Sequence, residues 1–177
     1  MILVDTALRE RAAAGNPVRI AVSGAGFAAQ GLVMQLRRPS TAGLEVSIIA
    51  NRSMSSIHRL LENLEITDHV VVEDADQLSA AMDAGKLAVT TDALLAATGE
   101  GIEVFVEATG EVEHGCRGVM AAIEAGKHIV LVNAELDEHA VALDPDLLAA
   151  RERLGDDLAV GHLGLHGAGI GGPRDLV

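Results

Sequence analysis

The chain has 177 residues, of which 49% are hydrophobic, and a formal net charge of −13. That size and composition exclude a disordered chain and leave room for one core. Phe27 and Phe105 are its only aromatic residues, too few for a single-strand stacking platform, and the negative field opposes nucleic acid and anionic membrane alike.

Residues 2–14 read as an amphipathic helix, closed by Gly15-Asn16 and the breaker Pro17. Strand and helix signals then alternate. Val18–Val22 is a strand, Ala28–Arg38 a helix stopped by Pro39, and Leu44–Ala50 a second strand. Ile57, Leu60, Leu61 and Leu64 follow helical spacing, with Ser55 or Ser56 as the expected N-cap. His69–Val72 is a short strand, and Gln77–Ala84 a helix ended by Gly85. Leu87–Thr90 reads as another short strand, and Asp92 caps the helix after it. Glu103–Glu107 and Lys127–Val132 are strands around a helix striped with Cys116, Val119, Met120 and Ile123. Asp144-Pro145 opens a helix through Leu154, and Leu158–Val160 is a candidate last strand.

This alternation implies an α/β fold, a doubly wound and mostly parallel sheet with right-handed crossovers. A core of Val, Ile, Leu and Ala suits strands covered on both faces. The single cysteine, Cys116, excludes an internal disulfide and a cysteine-based zinc cluster. Asp5 and Arg9 come too early for a secretory leader, and no apolar run approaches the ~18 residues that span a bilayer. A cytoplasmic location is expected.

The string Gly24-Ala25-Gly26-Phe27-Ala28-Ala29 follows a strand and opens a helix, the context that makes G-x-G-x-x-A a dinucleotide loop. Gly24 makes the tight turn, Gly26 admits backbone to a pyrophosphate, and Ala29 lets helix and strand pack. A tight β–α turn alone is the alternative. At the end of the second strand, where an NAD site places Asp or Glu, stand Asn51, Arg52 and Ser53. A guanidinium flanked by amide and hydroxyl suits a 2′-phosphate, so NADP is expected over NAD. Arg52 as a surface residue and Ser53 as a helix cap is the competing reading.

VEATGEVEHG (residues 106–115) and AAIEAGKHIVLVNAELD (residues 121–137) resemble the NAD(P)-binding domain of homoserine dehydrogenase. The resemblance is closer to homoserine-dehydrogenase-like oxidoreductases that share the NAELD string and the early VDTAL segment and often carry a C-terminal SAF domain. It covers roughly Met1 to Ala150. It implies a Rossmann-type domain serving hydride transfer on a small hydroxy or carbonyl substrate. By position it puts Ala108, Thr109 and Gly110, in the loop after the fourth major strand, beside the cofactor, and Asn133 near the nicotinamide. Thr109-Gly110 also reads as turn chemistry, and Asn133 as a strand-end amide.

Ala134 stands where homoserine dehydrogenases carry a lysine, which argues against homoserine as substrate. Glu135 and Asp137 read as solvated loop carboxylates, with an acid or base role as the alternative, Cys116 as packing, and His114 and His128 as structural. No catalytic residue is assigned. His162 and His166 lie in a stretch too glycine-rich for a helical metal pair, so no metal is expected. The expected organisation is an N-terminal helix over residues 1–16, a dinucleotide-binding domain over 17–160, and a disordered glycine-rich tail over 161–177. The composition change near Gly155–Gly161 suggests truncation or a shifted frame that removes the substrate domain. A non-catalytic NADP(H)-binding module and an inactive fragment are the alternatives, and homo-oligomer formation remains open.

Overall fold

The computed structural model describes residues 3–132. The expected elements and candidate residues from Asn133 onward lie outside that range. Six strands carry the described chain: β1 (Val18–Ser23), β2 (Leu44–Ala50), β3 (His69–Val71), β4 (Leu87–Thr90), β5 (Val104–Glu107) and β6 (His128–Leu131). Every pairing between them is parallel, in the order β3-β4-β2-β1-β5-β6. Apolar runs such as LEVSIIA form strands buried on both faces because parallel strands are bridged by helices lying above and below the sheet.

The helices are α1 (Leu3–Ala13), α2 (Phe27–Leu36), α3 (Met54–Asn63), α4 (Ala75–Asp83), α5 (Ala93–Thr98) and α6 (Val112–Glu124). Alternate strand residues feed two cores. Val22, Ile49, Val89 and Val106 pack with Ala29 and Val33 of α2 and Ile57 and Leu60 of α3. Ala21, Ile48, Ala88 and Phe105 meet Leu78 of α4, Ala96 of α5 and Val119 of α6 on the other face. Fully burying an aliphatic or phenyl side chain contributes about 1.5–3 kcal/mol.

Two local expectations are corrected. The N-cap of α3 is Ser53, not Ser55 or Ser56: its hydroxyl accepts from the Ser56 amide, because the helix already begins at Met54. α1 buries little of an apolar face, with Val4, Asp5, Thr6 and Ala7 all exposed. It is held instead by Arg11, which donates to both carboxylate oxygens of Glu103 at 2.5 and 2.9 Å and to the Asn16 carbonyl at 2.9 Å.

The chain runs from β1 to β2 on one side, and β5 pairs on the other side of β1. Connections leaving β1 and β5 therefore diverge at the carboxyl edge of the sheet. Open α/β sheets form their ligand crevice at such a switch point.

Candidate functional site

The floor of this crevice is the turn from β1 into α2. Gly24 sits at φ +120°, in the left-handed half of conformational space, and its amide donates to the Ala50 carbonyl at 2.8 Å. A Cβ placed there would stand 2.6 Å from the Ala108 oxygen and 2.7 Å from its carbonyl carbon. The loops after β1 and β5 thus touch backbone to backbone, further pinned by the Ala108 amide donating to the Ser23 carbonyl at 2.8 Å.

Gly26 is different. It has ordinary backbone angles as the N-cap of α2, makes no side-chain cap bond, and a Cβ on it would meet nothing within 4 Å. The first amides of a helix have no intrahelical acceptors, and here no side chain at the cap supplies one. The open space in front of them, with the positive end of the helix dipole, fits a phosphate group. Ala29 is fully buried, where a larger residue would push α2 off the sheet. Phe27 at the helix start is 87% exposed, an apolar ring standing free beside the turn.

The end of β2 forms a second wall. The Asn51 amide donates to the Thr90 carbonyl at 3.1 Å, and its side-chain nitrogen to the Ser53 carbonyl at 3.1 Å. Ser53 caps α3 and shares a 2.8 Å hydrogen bond with the Ser55 hydroxyl. Asn51 and Ser53 therefore shape this loop, whereas the Arg52 side chain leaves it and forms an ion pair with Glu111, which follows β5. Glu111 Oε2 is shielded from solvent, and its partner is the Arg52 guanidinium.

The loop after β5, the strand expected at Glu103–Glu107, is the third wall. Glu107 ends β5 with its side chain fully buried. Its Oε1 accepts from the Thr109 amide at 2.8 Å and from the Thr109 hydroxyl, and its Oε2 has no hydrogen-bond partner. Burial drives the Glu107 pKa above the usual carboxylate value; hydrogen bonds from Thr109, the Ser23 hydroxyl and the charge of His114 oppose this without reversing it. Gly115 of α6 makes room for it, since a Cβ there would lie 3.0 Å from the carboxyl carbon. Gly110 completes the turn at φ +72°.

Gly24, Gly26, Arg52, Ala108, Thr109 and Gly110 are thus brought to one edge of the sheet, while Asn133 lies outside the described residues. Sequence reasoning missed Glu107 and Glu111. For Glu107 the signal was a carboxylate closing the apolar run VFVE; for Glu111, whose importance comes from a contact across the crevice, there was none.

Among the described residues, no helix is long and apolar enough to cross a membrane. A homoserine dehydrogenase from Thiobacillus denitrificans superposes with a TM-score of 0.55 at 24% identity, over 78% of this chain and 28% of that one. A DOX-P reductoisomerase solved with magnesium superposes with a TM-score of 0.52 at 20% identity, over 78% of this chain and 35% of the other. Both likenesses establish a Rossmann-like fold, and the chain spans about a third or less of either enzyme. A search of curated proteins finds no match. The family model described as homoserine dehydrogenase, NAD binding domain, matches residues 24–160. The chain therefore belongs to the homoserine dehydrogenase NAD-binding domain family, a nicotinamide-nucleotide-binding domain of the oxidoreductase type.

Proposed function

We propose that residues 17–160 bind NADP in preference to NAD and serve hydride transfer to or from a small polar hydroxy or carbonyl substrate. The observation that carries this reading is the open, uncapped start of α2 facing a crevice whose β2 wall ends in Arg52 rather than a carboxylate. The α2 amides and Gly26 hold the pyrophosphate, Arg52 reads the 2′-phosphate, and Ala108–Gly110 line the ribose. The bound nicotinamide supplies or accepts the hydride. This chain's residues orient it, and the group that moves the substrate proton is not among those assigned. A cytoplasmic location fits this role.

Calorimetric titration of the full chain with NADPH and with NADH tests the reading, a suitable method for a protein without Trp or Tyr. NADPH should bind at least about tenfold more tightly, a difference of about 1.4 kcal/mol, and Arg52→Ala should abolish that preference. Equal affinity for the two nucleotides would refute the assignment of Arg52, and binding of neither would refute the whole reading.

A further inference from the structure

The strand order places β1 between β2 and β5. An ion pair from Arg52, after β2, to Glu111, after β5, therefore arches over the carboxyl end of β1 and the glycine turn beneath it. Glu111 is singled out among the nearby carboxylates. Glu113, two residues on, is engaged by Arg117 one helical turn away at 2.6 Å, and Glu107 is buried beneath Thr109. We infer that Glu111 is a specificity-determining residue of this site, holding the guanidinium that would otherwise bind the cofactor's 2′-phosphate. The inference rests on the proposed nucleotide site.

Carboxylate and phosphate are both anionic oxygen acceptors that match the planar fork of an arginine. They cannot hold the same donors together, and side by side they repel. A 2′-phosphorylated nucleotide must therefore displace Glu111 from Arg52, whereas a nucleotide with a free 2′-hydroxyl leaves the pair intact. Glu111 thus lowers affinity for the phosphorylated ligand selectively, and the preference for NADP over NAD is smaller than Arg52 alone would set.

The test compares the full wild-type chain with Glu111→Gln and Glu113→Gln, titrated with adenosine 2′,5′-bisphosphate and with 5′-AMP at low salt. Glu111 is the N-cap of α6 but makes no side-chain cap bond, so its replacement leaves the helix start intact. Glu113→Gln removes the same charge from the same helix end without freeing Arg52. Glu111→Gln should bind the bisphosphate roughly three- to fivefold more tightly than wild type, the range expected for an exposed ion pair. Its affinity for 5′-AMP should be unchanged, and the gain should shrink as salt is raised. An unchanged or weaker affinity of Glu111→Gln for the bisphosphate overturns the inference while leaving the nucleotide site standing. An equal gain in Glu113→Gln also overturns it, because the effect would then belong to the general negative field. Failure of both ligands to bind any of the three proteins would overturn the site and the inference together.

Discussion

The two glycines of the turn make opposite demands, and replacing each by alanine separates folding from binding. At Gly24 the backbone is at φ +120°, and the added methyl would press 2.6 Å from one backbone atom of Ala108 and 2.7 Å from another. Forcing a non-glycine residue into such a conformation costs about 1–3 kcal/mol, and overpacking against atoms that cannot yield costs about 1–3 more. The combined loss of about 2–6 kcal/mol is a large part of the ~5–15 kcal/mol that holds a domain together. At roughly 2–4 °C per kcal/mol for a chain of this size, Gly24→Ala should lower the thermal midpoint by roughly 5–20 °C. At Gly26 the backbone is ordinary and the methyl meets nothing within 4 Å, so Gly26→Ala should lose only the better helix cap, about 1 kcal/mol or less. That same methyl would enter the open space at the start of α2 where the pyrophosphate is proposed to sit, and affinity for NADPH should fall at least tenfold, about 1.4 kcal/mol. Thermal unfolding followed by circular dichroism, paired with calorimetric titration, reads both effects. Wild-type affinity in Gly26→Ala would refute the pyrophosphate site, and a wild-type midpoint in Gly24→Ala would refute the close approach of the two loops.

Glu107→Gln should stabilise the protein progressively relative to wild type as pH rises. The folded-state pKa of Glu107 is raised, so the wild-type contribution is fully present below the ordinary carboxylate value of 4.5 and is lost as pH climbs from there through the raised value. Thermal midpoints measured between pH 5 and 8 check this, and a difference independent of pH would refute it. Lys127 donates to the Gly99 and Ile102 carbonyls, both at 2.8 Å, closing the turn between α5 and β5. Lys127→Met should cost about 1–3 kcal/mol by leaving these acceptors unpaired, and an unchanged denaturant midpoint would show that water replaces the ammonium without loss.

Much of the fold was legible because each strand and helix carried its own periodic or capping signal. The helix stripe Ile57-Leu60-Leu61 and the cap Asp92 stand where their spacing placed them. The glycine turn was legible for the same reason, a short-range pattern with a steric cause. What failed was decided by competition or by contacts distant in sequence. Three serines could have capped α3, and the choice of Ser53 followed from where the helix began. The residues of α1 have a helical pattern, yet its anchoring depends on Arg11 finding Glu103, 92 positions away. Glu107 read as a polar strand end, since nothing local says that α6 offers Gly115 to enclose it. Arg52 was visible as a guanidinium without a neighbouring carboxylate; the carboxylate arrives from another loop, as Glu111.

The claim that matters most is that the start of α2 and the loop after β5 hold one nicotinamide nucleotide between them. Amide mapping by nuclear magnetic resonance of the labelled full chain, with NADPH added stepwise, tests it most directly. The predicted result is saturable shifts at Gly26, Phe27 and Ala28 together with Arg52, Thr109 and Gly110. Shifts confined to one of these loops, or lying elsewhere on the sheet, would contradict it.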